Sequence, residues 1–275
     1  MIKQAIIPLA GLGTRLLPLS SVIPKELLPI NGKPGLQYIL DECIDAGIKE
    51  IILIISQKKI MIKRYFNNDK FYKKIIKVKK DPRISKEFKK IQKYKKMIKF
   101  VYQNEPLGTG DAVLKSKKYI KDNFFLMLLP DDLIIKKNCS LSMIKINKKF
   151  NSSVMASMKV RKNEVSRWGI YKFSKKINKS DFFIKDVIEK PSIKNAPSNK
   201  AIIGRYILSK KIFSKLKKQK IGKNGEIHIT DAIRSLIKDD EKFIAHNFSG
   251  RYLDCGTMKG YINSSKEISK SWKFV

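Results

Sequence analysis

The chain has 275 residues, 43% of them hydrophobic, and a net charge of +36 from 60 Lys and Arg against 24 Asp and Glu. That length and apolar content suit a globular protein with a full core, so the 31% of charged residues does not signify disorder, and no apolar run approaches a membrane span. Cys43, Cys139 and Cys255 are odd in number and far apart, which argues against a disulfide frame or metal cluster and for a reducing compartment.

The chain opens on Met1-Ile2-Lys3-Gln4, which leads directly into a strand and leaves no room for a signal peptide, so a cytoplasmic location is expected. The strand, Ala5-Ile6-Ile7-Pro8-Leu9, breaks into Ala10-Gly11-Leu12-Gly13-Thr14-Arg15. Glycines after a buried strand allow a ligand to approach the backbone and aim N–H groups at an anion. Arg15 adds a guanidinium fork suited to phosphate, and Pro24-Lys25-Glu26 supplies a second cation. The stretch is neither a dinucleotide fingerprint, because Leu16 stands where a third glycine belongs, nor an ATPase phosphate loop, which ends in Gly-Lys-Ser/Thr.

This opening, G-x-G-T-R followed by P-K-E-L-L-P, resembles that of the sugar-nucleotide pyrophosphorylases, and the chain, through later motifs from Trp168-Gly169-Ile170 to Asp254-Cys255-Gly256, resembles their bacterial UTP–glucose-1-phosphate uridylyltransferase branch. The resemblance implies an α/β fold of Rossmann-like type, a mixed, mainly parallel sheet flanked by helices. It also implies one nucleotidyltransferase domain, with a nucleotide-binding half over 1–135 and a sugar-binding half over 136–275. Ala10, Gly11 and Gly13 fall on nucleotide-binding positions, and Arg15 and Lys25 on catalytic ones.

Further along, Pro34-Gly35-Leu36 begins a helix whose apolar stripe is Leu36, Ile39, Leu40, Cys43 and Ile44, with Gly47 as terminator. Residues 51–55 follow as a buried strand, completing a βαβ unit. Residues 58–99 carry eighteen Lys and Arg against three acids and read as basic amphipathic helices in an inserted arm. Tyr65, Phe66, Phe71, Tyr72, Phe88 and Tyr94 lie there, without RNA-recognition or zinc-finger spacing. Lysine is spread along the chain with Ile and Asn, as compositional drift toward A+T-rich codons would leave it. The expectation is a solvated basic surface with nonspecific, salt-sensitive polyanion binding and no specific nucleic-acid partner.

A strand over 99–103 ends at Gln103 before the loop Gly108-Thr109-Gly110-Asp111, which enters a helix at Asp111. A glutamine can donate and accept in the plane of a base, as uracil or thymine requires. In the resemblance Gln103 and Gly108 match base-contacting positions, although the family often has Gly-Leu-Gly-His where this chain has Gly-Thr-Gly-Asp. The strand 124–129 ends in Pro130-Asp131-Asp132, and adjacent carboxylates at the C-terminal end of a buried strand suit ligand chemistry. Such hard oxygens suit Mg²⁺ if another acid converges, and Asp254, in Tyr252-Leu253-Asp254-Cys255-Gly256, is the candidate. The resemblance assigns the metal to Asp131 and Asp254.

Candidate strands follow at 153–160, 168–173, 182–188 and 201–208. Trp168-Gly169-Ile170, Val187-Ile188-Glu189-Lys190-Pro191, Ala196-Pro197-Ser198-Asn199 and Ile203-Gly204-Arg205-Tyr206 match later family motifs in order. They imply sugar binding by Asp132, Gly169, Glu189 and Gly204, with Lys190 on the sugar phosphate. Glu226 either lines the sugar pocket or forms a salt bridge where a helix begins, and Thr230 is placed to cap that helix. His228 stands where the family often has Gln, and His246 lies in a strand-like run, so no catalytic histidine is expected. A closing helix over 257–269 precedes a short tail at 271–275.

The implied reaction is UTP plus α-D-glucose 1-phosphate giving UDP-glucose and pyrophosphate, with Mg²⁺, in a dimer or tetramer. A dTTP-using thymidylyltransferase, a noncatalytic regulatory paralogue and a basic nucleic-acid-binding module are the alternatives. The intact Gly13-Thr14-Arg15 and Asp131 count against the second, and the even spread of lysine against the third.

Overall fold

The computed structural model describes residues 2–222 and 225–270, so the expected tail at 271–275 lies outside the described residues. The first unit is β1 (Gln4–Pro8), the ribbon β2 (Pro29–Ile30) and β3 (Lys33–Pro34), α1 (Gly35–Asp45) and β4 (Glu50–Ile55). The basic arm folds as α2 (Ile60–Phe66), α3 (Asp69–Lys79) and α4 (Pro82–Met97), and leads into β5 (Ile98–Tyr102), α5 (Gly108–Lys115) and β6 (Phe124–Leu128). Then come β7 (Asp132–Ile135), α6 (Cys139–Phe150), β8 (Ser153–Lys159), β9 (Gly169–Lys176), β10 (Asp181–Glu189) and β11 (Lys200–Ser209). The chain continues through α7 (Ile212–Lys218), α8 (Ile229–Lys238), β12 (Phe243–Asn247), β13 (Arg251–Asp254) and α9 (Met258–Ser269).

Nine strands form one sheet in the order β5-β4-β1-β6-β11-β8-β12-β10-β9. β5, β4, β1 and β6 are parallel, in registers such as Ile6 opposite Ile52 and Ala5 opposite Leu126. Beyond β6 the pairing turns antiparallel, with only β8 and β12 parallel. The sheet is therefore mixed as expected, but parallel pairing dominates only its N-terminal third. Here tertiary pairing corrects the broader expectation, because apolar runs buried on both faces look alike whichever way they pair.

Alternation along each strand divides the core between the two faces. Ile7, Leu53, Leu126 and Leu128 pack with Leu36, Ile39 and Leu40 of α1. Ile6, Ile52, Ile54, Phe125 and Met127 pack with α5, α7 and α8. The three cysteines are free and buried, Cys43 on the α1 side as its stripe predicts.

In the arm, most of the aromatic side chains turn inward. Phe66 and Tyr94 are fully buried and Tyr72 stacks on Phe88 at 5.2 Å, while Phe71 faces outward. Asp41 of α1 fastens the arm, taking hydrogen bonds from Lys90 at 3.0 Å and Tyr94 at 2.5 Å, and another from Lys33 at 2.7 Å. Burial alone would raise its carboxyl, but the bonds from Lys33 and Tyr94 outweigh that and hold it below its ordinary value.

Candidate active site

Two clefts of about 530 and 540 Å³ adjoin beyond the C-terminal ends of β1 and β6. The first is walled by Ala10, Gly11, Gly13, Arg15, Lys25, Gln103, Gly108 and Asp131. Gly13 adopts φ +74°, a left-handed conformation that a side chain would strain, and ends the loop before the turn Thr14–Leu16. The amides of Gly11, Leu12 and Gly13 donate to no acceptor among the described residues. Unpaired N–H groups lining a cleft are what an oxyanion needs.

Asp131 stands where the clefts meet. Its Oδ2 accepts from Lys25 Nζ at 2.7 Å and from Arg15 at 3.4 Å. Burial would raise the Asp131 carboxyl, yet the Lys25 charge and hydrogen bond prevail and hold it below its usual range. Burial likewise opposes the Lys25 ammonium, but Asp131 and Glu26 outweigh it and hold that group above its ordinary value. Glu26 is itself tied to Lys59 at 2.8 and 2.9 Å. Even so, burial pushes the Lys59 ammonium down.

Asp254 arrives on β13, which pairs with β7 so that Asp254 lies opposite Asp132, and Cys255 N–H donates to Asp131 O at 2.8 Å. A Cβ on Gly256 would stand 2.7 Å from Asp131 Oδ2 and 3.2 Å from Asp254 Oδ1. The missing side chain thus leaves a space flanked by two carboxylates and by Arg15 Nη2, which would stand 2.9 Å from that Cβ. That donor set fits a hard divalent cation that keeps waters and binds substrate phosphates.

The second cleft contains Asp132, Gly169, Glu189, Lys190, Gly204 and Asp254, and shares Arg15, Asp131 and Glu226 with the first. Every residue that the sequence proposes for nucleotide, sugar or metal binding or for catalysis lines one cleft or both. Asp132 is more constrained than a plain sugar acceptor, because Oδ2 accepts from Gly204 N–H at 2.9 Å and Oδ1 from Tyr252 OH at 2.6 Å. Burial, with the neighbouring Asp131 charge, pushes its carboxyl up to about 6. Its first task is to hold Gly204, where a Cβ would collide with Asp132 and with the Leu129 side chain at 2.6 Å.

Beneath this floor, fully buried Arg205 forks onto Glu42 at 2.8–3.1 Å and donates to Gly204 O at 2.9 Å and Leu129 O at 3.3 Å. Burial opposes its charge, but Glu42 outweighs burial, so the guanidinium stays ionised.

Thr230 does not cap α8, as its position suggests. His228 occupies the N-cap position without a side-chain capping bond, and Thr230 Oγ1 donates to Glu189 at 3.1 Å, because β10 brings that carboxylate over the start of the helix. Glu226 lines both clefts, with His228 Nδ1 3.8 Å from its Oε2. His246 meets an acid that the sequence around it does not supply, Asp181, its register partner on β10, at 2.7 Å. Helix α5 begins at Gly108, earlier than expected.

The sequence assigns no site role to Tyr252 or Arg167 and only a capping role to Thr230, yet all three lie in the second cleft. Arg167 stands 3.9 Å from Asp254 and 5.9 Å from the Trp168 ring. The signal for it was adjacency, since it precedes Trp168-Gly169 directly.

Comparison with known proteins joins these observations. The family model described as nucleotidyl transferase matches residues 4–271. The UTP–glucose-1-phosphate uridylyltransferase of Mycoplasma pneumoniae is 36% identical over 266 residues, covering 96% of this chain and 91% of its own. A crystal structure of UDP-glucose pyrophosphorylase complexed with UDP-glucose superposes with a TM-score of 0.87 at 35% identity, over 99% of this chain and 100% of that one. UTP-bound UGPase from Acinetobacter baumannii gives 0.88 at 32% identity, over 99% and 95%.

Proposed function

The chain belongs to the nucleotidyl transferase family, and we propose that it transfers UMP from UTP to α-D-glucose 1-phosphate, releasing pyrophosphate and forming UDP-glucose. The observation that carries this reading is the meeting of the two clefts on Asp131, Arg15 and Glu226. One cleft has the unpaired amides and cations that a triphosphate needs. The other has the carboxylates and the lysine that a sugar phosphate needs. The relatives' names supply the identity of both substrates.

A phosphate oxygen of glucose 1-phosphate attacks the α-phosphorus in line. The new P–O bond forms as the bond to the bridging oxygen breaks, and that electron pair leaves with pyrophosphate. The nucleophile is already an anion, so no general base takes part, and positioning and charge neutralisation do the catalysis. Arg15 steadies the triphosphate and the leaving pyrophosphate, and Lys25 meets charge developing at the α-phosphate. Lys190 holds the incoming sugar phosphate. Glu189 and Glu226 accept sugar hydroxyls, and the backbone at Gly169 and Gly204 lets the sugar lie close. Ala10, Gly11, Gly13, Gln103 and Gly108 hold the nucleotide. Asp131 and Asp254 would hold Mg²⁺, which when bound supplies Lewis acidity and alignment of the phosphates.

The protein works as one domain with a nucleotide half and a sugar half, as a dimer or tetramer in the cytoplasm, without a specific nucleic-acid partner. No helix among the described residues is long and apolar enough to cross a membrane. Pyrophosphate release with Mg²⁺, glucose 1-phosphate and each nucleoside triphosphate in turn tests the reaction. Release chiefly with UTP, abolished in Asp131→Ala, is expected. Release chiefly with dTTP would keep the chemistry and change the base, and none from folded protein would overturn the reading.

A further inference from the structure

The amide of Gln103 is held by one end. Its Nε2 donates to Gly108 O at 3.0 Å and to Asp111 Oδ2 at 2.8 Å, and both partners only accept. Turned over, the amide would set Oε1 against a carboxylate and a carbonyl. Gln103 is 4% exposed and Asp111 6%, so little water could relieve that contact. The backbone is anchored too, with Gln103 N–H on Ile55 O at 2.9 Å.

Asp111 is itself well placed. It sits in the first turn of α5, where the helix dipole favours a carboxylate, and Lys115 lies 3.7 Å from its Oδ1. Gly110 N–H pins the same turn to Ile227 O at 2.7 Å. Gln103 lines the first cleft, and its Oε1 has no hydrogen-bond partner among the described residues. The amide therefore offers a ligand an acceptor.

We propose that Asp111, which lines neither cleft, is a positioning residue that sets base specificity by holding the Gln103 carbonyl oxygen toward the ligand. A nucleotide base is then accepted when it presents a protonated ring nitrogen, such as N3–H of uracil or thymine. Cytosine is refused, because its N3 carries a lone pair that would face Oε1. The inference rests on the reading that the cleft beside Gln103 holds the base. It deepens that reading by naming the residue that fixes the polarity of the contact.

Equilibrium binding of UTP and of CTP, each with Mg²⁺, to the full chain and to Asp111→Asn tests it. Asparagine matches aspartate in shape but can donate as well as accept, so a turned Gln103 would meet one clash, with the Gly108 carbonyl, in place of two. The native protein should prefer UTP by roughly tenfold or more, the cost of a mismatched buried contact. In Asp111→Asn that preference should fall by at least threefold. If that variant does not fold, Asp111→Ser, whose hydroxyl also donates or accepts, should give the same fall.

A native protein that binds CTP as tightly as UTP overturns the proposal whatever the variants do. So does a folded variant whose preference stays within twofold of the native one. Pyrophosphate release is recorded separately. A protein that selects UTP through Asp111 but releases no pyrophosphate would sink the reaction and keep the inference. One that turns over UTP and CTP alike would do the reverse.

Discussion

The two clefts are built on different plans. The first is walled largely by residues of the segments that follow β1, β5 and β6, parallel strands of which β1 and β6 are buried on both faces and β5 is the half-exposed edge. Each turn is a few consecutive residues, so its ligand-facing atoms travel together in the chain. The second is walled by side chains that meet only after long excursions: Asp132 with Gly204 and Tyr252, and Glu189 with Thr230. The meetings of Asp132 depend on antiparallel pairing of β11 with β6 and of β13 with β7, and that of Glu189 on the packing of α8 against β10. Recognition by residues of one turn is local, whereas recognition by residues from distant strands has to be assembled.

The largest effect should come from the support beneath the second cleft. Glu42→Ala would leave Arg205 charged and unpaired in the core and should cost about 3–5 kcal/mol, read by urea unfolding. The double change Glu42→Leu with Arg205→Met should recover most of it. A single variant as stable as the native protein would mean that the pair does not support the floor.

Lys25→Ala should lower kcat by roughly 10²–10³-fold, the effect of losing one preorganised charge at the reacting centre. Lys190→Ala, in the second cleft, should act mainly through the KM for glucose 1-phosphate. If the two variants gave the same split between kcat and KM, the division of labour between the clefts would not stand.

Gly204→Ala should cost about 1–3 kcal/mol, because the added methyl forces Asp132 and Leu129 apart. Its KM for the sugar phosphate should rise, with that for UTP nearly unchanged. The smallest effect belongs to the arm, which borders neither cleft. Asp41 is held below its ordinary value, so its contribution to stability is complete above the unfolded carboxyl range, about pH 4, and is lost as pH falls through the folded value. Asp41→Asn should therefore flatten the stability profile below about pH 4 and leave turnover near neutral pH unchanged.

Much of the first cleft was legible because its elements announce themselves. An unbroken apolar strand ending in glycine, or in Pro130-Asp131-Asp132, can be read from the residues alone. The ribbon at Ile30-Asn31-Gly32-Lys33 went unread despite Asn and Gly at φ +44° and +85°, because its strands are only two residues each. Helix α6 went unread because its apolar stripe is sparse, although Asn138 does cap it by accepting from Leu141 N–H at 2.8 Å. Thr230 was misread as a cap because nothing near it in the chain reveals that Glu189 would claim its hydroxyl.

From the sequence alone came most of the strand-and-turn order, the family likeness and the candidate site residues, since hydrophobic period, glycine loops and strand-end carboxylates are short-range patterns. Tertiary structure alone decided how those residues are held. Asp132 became a clamp on Gly204, Gln103 was left with only its oxygen to offer, and Arg205 was sealed onto Glu42. A buried polar group must find a partner, and which partner reaches it depends on strand pairing, which no local pattern encodes.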